Sequence, residues 1–246
     1  MEIQAKLGSD IALAFDECTP FHVDRDYTAR STERTHRWLD RCIAWHARNA
    51  PDWQLFFGIV QGGVYEDLRR ESAERVTSAA IDGVAIGGSL GQDKGEMRAV
   101  VDLTTPLLPD DMPRHLLGVG DVDDLVHGVG AGIDMFDCAT PTRLARHGTA
   151  LVADPEARWR LDLAKAVHAE SRDPIAEGCP CPACTRHTRG YIHYLVRARE
   201  LTAVRLLTMH NLTFMALLMR RLRAAVEAGE YEKVAKRLLE AGPYDT

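Results

Sequence analysis

The stretch LFFGIVQGGVYEDLRRESAERVTSA, residues 55–79, contains an apolar run, a glycine loop and a helical stretch in that order. The run Leu55–Val60 has the length and the apolar composition of a buried strand. Gln61-Gly62-Gly63 ends the strand, because paired glycines interrupt regular structure, and a helix is predicted around Glu66–Ala79. The stretch therefore predicts one strand, one polar loop and one helix, the unit from which parallel sheets are built.

The same order recurs along the first 155 residues. Four further strands are predicted, each ending in glycine or a polar residue: Ile11–Phe15, Val84–Ile86, His115–Leu117 and Ile133–Phe136. Helices are predicted at Thr32–Asn49, Gly95–Leu107 and Val122–Val129. This alternation predicts a parallel α/β sheet with right-handed crossovers, whose chemistry sits at the carboxyl ends of the strands. A closed barrel and an open sheet both fit the pattern.

After Pro155 the alternation stops and the pattern becomes mainly helical. Helices are predicted at Trp159–Ala169, Gly190–Arg199, Ala203–Ala228 and Tyr231–Leu239, with Gly229 as a break between the last two. Two domains are therefore expected, residues 1–155 and residues 156–246.

The composition is that of an ordinary globular protein, with 246 residues of which 46% are hydrophobic and 27% charged. No apolar run approaches the roughly 20 residues that a membrane helix needs. The start MEIQAKLGSD lacks the basic and apolar regions of a signal peptide. These features predict a cytoplasmic protein with no membrane partner.

Charge is unevenly distributed along the chain. The net charge is -6, yet the segment from Cys179 to the end carries eleven Lys or Arg against six Asp or Glu. A basic region beside an acidic body suits contact with a polyanion. A solvated helix surface explains the same charges equally well.

Three of the six cysteines crowd into Cys179-Pro-Cys181-Pro-Ala-Cys184. Clustered thiols favour a metal over disulfides here, and a structural zinc site takes four ligands in a tetrahedron. The candidates for the fourth ligand are His187, His193 and His210. We favour His210, because a helix can return it to the loop, and keep His193 as the alternative. Reduced cysteines without a metal are the remaining interpretation.

Residues at three predicted strand ends suit recognition of a purine. The Asp16 carboxylate can accept two hydrogen bonds from adjacent N–H donors, and guanine presents such a pair at N1 and its 2-amino group. Gln61 adds an amide, and Gly87-Gly88 offers backbone N–H groups to a carbonyl such as guanine O6. A helix cap at Asp16 and plain turns at the glycines are the structural alternatives.

Asp137 follows the last predicted strand, Ile133–Phe136. A carboxylate at a strand end can serve as a metal ligand, a cap or a nucleophile. Carboxylate nucleophiles attack anomeric carbons in glycosidases, and base exchange on a nucleoside breaks the same kind of bond. Asp137 is therefore a candidate nucleophile.

Several segments together resemble the tRNA-guanine transglycosylase (queuine tRNA-ribosyltransferase) family of bacterial type. In chain order they are GSDIALAFDEC, FGIVQGGVYEDLR, IGG, HLLGVG, GIDMFDCATPTRLARHG, CPCPACTRHTRGYIHYLVRARE and RLLTMHNLTF. The most specific are GIDMFDC followed by PTR, and the three cysteines followed later by HN. The segments extend to about residue 214 and cover most of the chain in the family's order.

The resemblance implies the carboxy-terminal part of a (β/α)8 TIM barrel, about five strand–helix units, with a zinc-binding subdomain and terminal helices. It implies exchange of guanine at the tRNA wobble position for a 7-deazaguanine, a queuosine precursor, through a covalent aspartyl–ribose intermediate. The implied partners are a tRNA with a GUN-type anticodon, the 7-deazaguanine base and, in the complete enzyme, a second copy in a homodimer.

The same motifs carry the family's residue roles onto this chain. Asp137 matches the catalytic nucleophile, and Arg143 and Arg146 match residues that contact tRNA. The base-binding residues match Asp16, Cys18, Gln61 and Gly88. The ligands of one structural Zn²⁺ match Cys179, Cys181, Cys184 and His210.

The chain departs from the family in two respects. The family has about three strand–helix units ahead of the FDEC strand, and among them is an SDSGGFQ-type motif with a second aspartate, the general acid/base. A VGE-type glutamate is also missing from Gly87–Gln92. We therefore expect a fragment, a truncated gene product or half of a split enzyme, with little activity alone, and the 7-substituent of the base is left open.

Two other functions fit parts of the sequence. The first is a truncated, non-catalytic tRNA-binding or partner subunit of the same family. The second is a zinc-ribbon DNA-binding module on an unrelated α/β domain, which leaves the Asp137 segment unexplained.

Overall fold

The computed structural model describes residues 1–244. It contains two compact units. Unit 1 comprises Met1–Val119 and His127–Asp137, and unit 2 comprises Gly120–Val126 and the chain from Cys138 onwards. The domain division at residue 155, where the alternation of strands and helices ends in the sequence, stays a prediction.

Unit 1 is built on a five-stranded parallel sheet in which the strand order follows the chain. Its strands are β1 (Ile11–Leu13), β2 (Leu55–Val60), β3 (Gly83–Ile86), β4 (Arg114–Leu116) and β5 (Met135–Phe136). Val60 lies opposite Ile86, Ile86 opposite Leu116, and Leu116 opposite Phe136. The five strands form a half-barrel, which confirms the predicted α/β class and the partial barrel.

Helices alternate with these strands, as predicted. They are α1 (Glu2–Leu7), α2 (Arg25–Asn49), α3 (Glu66–Thr77), α4 (Lys94–Thr104) and α5 (Val122–Gly130), the last of which supplies residues to both units. α2 begins earlier than predicted, because the Asp24 side chain accepts a hydrogen bond from the Tyr27 N–H and caps the helix there. α1 was not predicted.

The core of unit 1 lies where the helices cover the sheet. Val60 and Ile86 are fully buried on β2 and β3. Leu39 of α2, Val76 of α3 and Val101 of α4 belong to the same apolar cluster. Helices over a parallel sheet bury its strands, which explains why these strands are continuous apolar runs.

Unit 2 combines a two-stranded antiparallel sheet with helices. Its elements are α6 (Thr140–Arg146), β6 (Thr149–Leu151), β7 (Arg160–Asp162), α7 (Pro182–Arg186), α8 (Arg189–Arg197), α9 (Leu201–Glu227) and α10 (Tyr231–Ala241). The three helices predicted after Cys184 are confirmed to within a few residues. Gly229 separates α9 from α10. Its φ of 68° is a left-handed conformation that favours glycine.

The helix predicted over Trp159–Ala169 is wrong. Residues Arg160–Asp162 form β7, which pairs antiparallel with β6, and Ala166–His168 form a short 3₁₀ helix. Arg158 and Trp159 have φ values of 52° and 62°, which no α-helix contains. The chain turns at these two residues, and β7 then forms its backbone hydrogen bonds with β6. The sequence of one segment cannot show which strand it will pair with.

Within residues 1–244, α9 is the one helix long and apolar enough to cross a membrane by length and composition, with a mean hydropathy of 1.3 over its most apolar window. The run-length argument from sequence overlooked it. Leu207, Phe214, Leu218 and Leu222 of α9 are fully buried in the structure. A core helix meets the same criteria, and the buried side of α9 also carries His210.

Candidate functional site

Unit 1 brings together the four residues predicted to bind a base. Gln61 Nε2 donates to Asp16 Oδ2 over 2.5 Å. A Cβ atom on Gly88 would lie 2.2 Å from Gln61 Oε1, so Gly88 permits a close approach that any side chain would prevent. The Gly88 N–H approaches the Cys18 thiol, and Asp16 lies near that thiol as well. The four residues thus form one cluster, although they come from three different loops.

The charge states in this cluster follow from its partial burial. Burial raises the pKa of Asp16, and the hydrogen bond from Gln61 offsets part of that rise. Burial and the charge of Asp16 raise the pKa of Cys18, against the opposing effects of the Gly88 N–H and Arg69. Cys18 is therefore a neutral thiol at pH 7, and Asp16 is the group that accepts hydrogen bonds from a ligand's N–H donors.

Two side chains of α3 hold the Gln61 loop. Arg69 is fully buried and donates to the Val60 carbonyl over 3.0 Å and to the Gly63 carbonyl over 2.8 Å. The Gln61 N–H donates to Ser72 Oγ over 3.0 Å. Burial lowers the pKa of Arg69 to about 10, so its guanidinium stays charged at neutral pH. The loop is therefore tied on both sides of Gln61.

Asp137 lies at the end of β5, and one of its carboxylate oxygens is held by two donors. His115 Nε2 and the Gly118 N–H each donate to Asp137 Oδ1 over 3.1 Å. Among residues 1–244, neither a hydrogen bond nor an ion pair reaches Oδ2. The Asp137 side chain is 59% exposed. The carboxylate is therefore oriented through Oδ1 alone.

Sheet register relates Asp137 to the base-binding cluster. Val60, Ile86, Leu116 and Phe136 are successive partners across β2 to β5. The residues that follow them, which include Gln61, Gly87 and Asp137, therefore occupy one row along the carboxyl edge of the sheet. Asp16 joins this edge, because Leu13 of β1 lies opposite Phe57. The predicted chemistry thus lies at the edge where parallel α/β folds place their sites.

Arg143 and Arg146 belong to unit 2. Both lie in the last turn of α6, and both are exposed. Arg146 Nη1 is 3.5 Å from Thr142 Oγ1. Their guanidinium groups are accessible to an anionic partner.

Unit 2 also contains a group of three thiols and one imidazole that can hold a metal ion such as zinc. Cys179, Cys181, Cys184 and His210 each offer a ligand atom, and these atoms lie within 4.8 Å of one another. His210 Nδ1 is 3.6 Å from the sulfurs of Cys179 and Cys181 and 3.3 Å from that of Cys184. In a tetrahedral zinc site, bond lengths of about 2.3 Å to sulfur and about 2.0 Å to nitrogen separate S and N by roughly 3.5 Å. The distances and the donor set therefore fit zinc.

Local structure explains how these ligands meet. The Cys181 side chain caps α7 by accepting the Cys184 N–H, which holds Cys184 of α7 close to the loop that carries Cys179 and Cys181. α9 presents His210, whose Nε2 lies 2.8 Å from the Leu151 carbonyl oxygen. That bond assigns the proton of a neutral imidazole to Nε2 and turns Nδ1 towards the thiols, the arrangement that metal-binding histidines require.

The other two histidines considered as ligands make different contacts. His193 Nδ1 lies 2.8 Å from the Leu163 carbonyl, and His187 stacks on Tyr191 with ring centroids 5.1 Å apart. His210 is thus the imidazole that the structure brings to the thiols.

The charges in this cluster depend on one another. Hydrogen bonds with Cys181 and Cys184 lower the pKa of Cys179, whereas hydrogen bonds with Cys179 and Cys181 raise the pKa of Cys184. Burial opposes the protonation of His210, but hydrogen bonds to the thiols raise its pKa to about 9. Without a metal the cluster therefore holds protons that an ion has to displace, so metal binding strengthens as pH rises.

His115 and Arg69 were not singled out from the sequence. His115 lies within HLLGVG, but only the fold brings its ring to Asp137. Arg69 shares the inward stripe of α3 with Ala73 and Val76, which are both buried. An arginine on the apolar side of a predicted helix can be recognised from sequence. Such a residue is expected to have a specific role, because a charged side chain is rarely buried unless hydrogen bonds or an ion pair compensate for the loss of water.

Comparisons with known proteins agree with the motifs. The family model for queuine tRNA-ribosyltransferase matches residues 1–243. A queuine tRNA-ribosyltransferase of Roseiflexus sp. (strain RS-1) is 51% identical over 240 residues, which is 94% of this chain and 60% of that protein. Those of Symbiobacterium thermophilum and Bacillus subtilis (strain 168) are 48% and 49% identical, over 97% and 92% of this chain and 58% of each relative. The chain spans about 60% of the length of the curated relatives that it matches.

Proposed function

The chain belongs to the queuine tRNA-ribosyltransferase family, and from this premise we propose that it carries the base-binding and nucleophilic part of a tRNA-guanine transglycosylase. The reaction exchanges guanine at the wobble position of a tRNA with a GUN-type anticodon for a 7-deazaguanine, a precursor of queuosine. The observation that carries the proposal is the carboxyl edge of the sheet, where the Asp16–Gln61 pair and the oriented Asp137 carboxylate occupy one row.

The cluster around Asp16 suits guanine. The two Asp16 oxygens accept from the N1–H and the 2-amino group of the base, and these charge-assisted bonds are strong in a half-buried site. Gln61 and the Gly88 N–H face the O6 carbonyl, and Cys18 lines the same pocket. Arg69 and Ser72 keep Gln61 in place, so little ordering is needed when the base binds.

Asp137 then acts as the nucleophile. Its free Oδ2 attacks C1′ of the ribose, the bond from C1′ to guanine N9 breaks, and the departing base takes up the bonding electrons and a proton. The incoming 7-deazaguanine gives up its N9 proton and attacks the same carbon through N9, and the bond from C1′ to Asp137 breaks to release the carboxylate. His115 and the Gly118 N–H orient the carboxylate throughout by holding Oδ1. The family's motif with a second aspartate has no match in this chain, so the proton is assigned to no residue here.

The tRNA is bound through its phosphates. Arg143, Arg146 and the basic segment after Cys179 offer accessible guanidinium groups, which grip phosphates without reading sequence. Attack at C1′ and exchange of the base also require the nucleotide to be turned out of its stack. Both requirements fit a tRNA-modifying protein. We propose that it acts in the cytoplasm.

The thiol cluster holds one zinc ion with a structural role. Cys179, Cys181, Cys184 and His210 fill all four positions of a tetrahedron, so no position is left for water or substrate. A bound ion ties the loop before α7 to α9.

Because the chain spans about 60% of the length of its relatives, we propose full activity for this chain assembled with the part of the family that it does not match. For this chain alone we propose little activity. A homodimer is proposed for that complete enzyme. The share of the relatives that is covered also favours a second candidate, a non-catalytic tRNA-binding or partner subunit of the same family.

The test is a covalent adduct between protein and tRNA. The chain is incubated with a GUN-anticodon tRNA and no free base, together with a polypeptide spanning the part of the Bacillus subtilis relative that this chain does not match. A species that survives denaturation is expected, and Asp137→Asn should abolish it, because a neutral amide is a poor nucleophile.

Asp134→Asn is the matched control. Asp134 is an exposed carboxylate three residues earlier, and its Oδ2 accepts the Arg114 N–H over 2.8 Å, so this change leaves the proposed nucleophile intact. An adduct of normal yield in Asp137→Asn would remove Asp137 from the mechanism. The absence of any adduct from the wild-type mixture, with tRNA binding retained, would favour the non-catalytic subunit.

A further inference from the structure

Tyr244 has a buried hydroxyl group that no bond in the structure explains. Its oxygen is buried and has no hydrogen-bond partner among residues 1–244. Burying a hydroxyl group without a partner is unfavourable, so a partner is expected when the neighbouring site is occupied.

The ring of Tyr244 is fixed at the thiol cluster by its neighbours. Its centroid lies 6.3 Å from that of His210, and it packs edge-on against Phe214 with centroids 5.7 Å apart. A Cβ atom on Gly178, the residue before the first thiol ligand, would lie 3.7 Å from the Cβ of Tyr244. The side chain therefore covers the cysteine loop and the imidazole of His210 together.

Tyr244 packs against the buried cluster that includes Cys179 and Cys181, and Cys179 is the sulfur that acts most strongly on its hydroxyl group. Burial raises the pKa of Tyr244, and the charge and hydrogen-bonding capacity of Cys179 raise it further. A phenol is protonated at neutral pH even without such effects, so the group can act as a donor. A zinc-bound thiolate keeps lone pairs that accept such a bond.

We propose that Tyr244 is a positioning residue of the metal centre, whose O–H donates to the Cys179 thiolate when zinc is bound. This inference rests on the zinc site proposed above. Three thiolates around Zn²⁺ leave a net charge of −1 in a largely buried site, and a neutral donor spreads that charge. The bond also makes Cys179 a poorer target for protons and oxidants, which slows metal loss.

The test is the rate of zinc release from the full chain. Zinc-loaded wild type and Tyr244→Phe are mixed with excess chromophoric chelator, and release is followed by absorbance. The phenylalanine ring keeps the packing on Phe214 and His210 and removes only the donor. Release should be about tenfold faster, because groups that hydrogen-bond to metal ligands typically change affinity by about 10–100-fold.

Tyr194→Phe is the matched control, because Tyr194 lies on α8 in the same unit and is 63% exposed. Its release rate should equal that of the wild type. Equal rates in wild type and Tyr244→Phe would overturn the inference. A wild type that binds no zinc would instead overturn the proposed metal site, so the two failures can be distinguished.

Cobalt provides a readout that simple destabilisation does not change. The chain is loaded with Co²⁺, and its thiolate-to-cobalt charge-transfer band is compared between wild type and Tyr244→Phe. Loss of a donor makes the sulfur more electron-rich, so the band should move to longer wavelength. An unchanged band at full cobalt occupancy would show that the hydroxyl does not bond to a ligand sulfur.

Discussion

The two candidate sites are built in different ways. The site at the carboxyl edge of unit 1 draws residues from positions 16 to 137, on loops that the sheet aligns, and its nucleophile candidate is 59% exposed. The thiol cluster of unit 2 takes three of its four potential ligands from one six-residue segment and the fourth from α9, and His210 is fully buried. The first site depends on long-range pairing of strands, whereas the second depends mainly on one loop and one helix.

This difference predicts different behaviour from a chain that spans about 60% of its relatives. All four residues of the candidate metal site lie within this chain, at distances that suit zinc. The strand-end site has the Asp16–Gln61 contact and the oriented Asp137 carboxylate, but the family's second aspartate and its VGE-type glutamate have no match. Zinc binding should therefore be a property of this chain alone, and base exchange a property of the assembled protein.

The largest expected effect is loss of the metal in His210→Ala. Binding free energies of about 10–16 kcal/mol for structural zinc imply roughly 3 kcal/mol for each of four ligands, or more than about 100-fold in affinity. The measurement is zinc content after dialysis against a weak chelator.

His193→Ala is the control for this prediction, because His193 bonds to the Leu163 carbonyl instead of the thiols. It should keep one zinc per chain. Retention of zinc in His210→Ala together with loss of zinc in His193→Ala would make His193 the fourth ligand in place of His210. The four-residue cluster would then not be the complete metal site.

A smaller effect is expected from Asp16→Asn at the strand-end site. The amide offers one acceptor and one donor where guanine needs two acceptors, so binding should weaken by about 1–3 kcal/mol. Calorimetry with guanine and the chain measures this change. Asp10→Asn is the control, because Asp10 is an exposed residue ahead of β1. Equal affinities for guanine in wild type and Asp16→Asn would show that Asp16 has only a structural role.

The smallest effect is the pH dependence of guanine binding. Burial raises the pKa of Asp16 in the free protein, and the base binds the ionised carboxylate. Below that pKa each binding event must release a proton, so affinity falls by up to about tenfold per pH unit. The decline should begin at a higher pH than for an ordinary aspartate, and Asp16→Asn should remove it. A decline that persists in Asp16→Asn would assign the titration to another group.

The sequence alone determined the alternation of five parallel strands with helices and the residue types at the strand ends. Apolar runs ended by Gln61-Gly62-Gly63 or Gly87-Gly88 predicted the parallel strands, because period and glycine placement are local properties of the chain. The spacing of Cys179, Cys181 and Cys184 likewise predicted a metal loop. Asp16, Gln61 and Asp137 were located by their positions after strands, and their catalytic and binding roles stay predictions.

The tertiary structure alone decided which of these groups meet. It pairs Gln61 with Asp16, holds Asp137 through His115, and places Tyr244 over the thiols, all across long separations in the chain. It also turned the predicted helix after Trp159 into strand β7. The physical reason is the same in each case: a side chain's partner depends on sheet register and helix packing, and a buried polar group must find its partner there because water is absent.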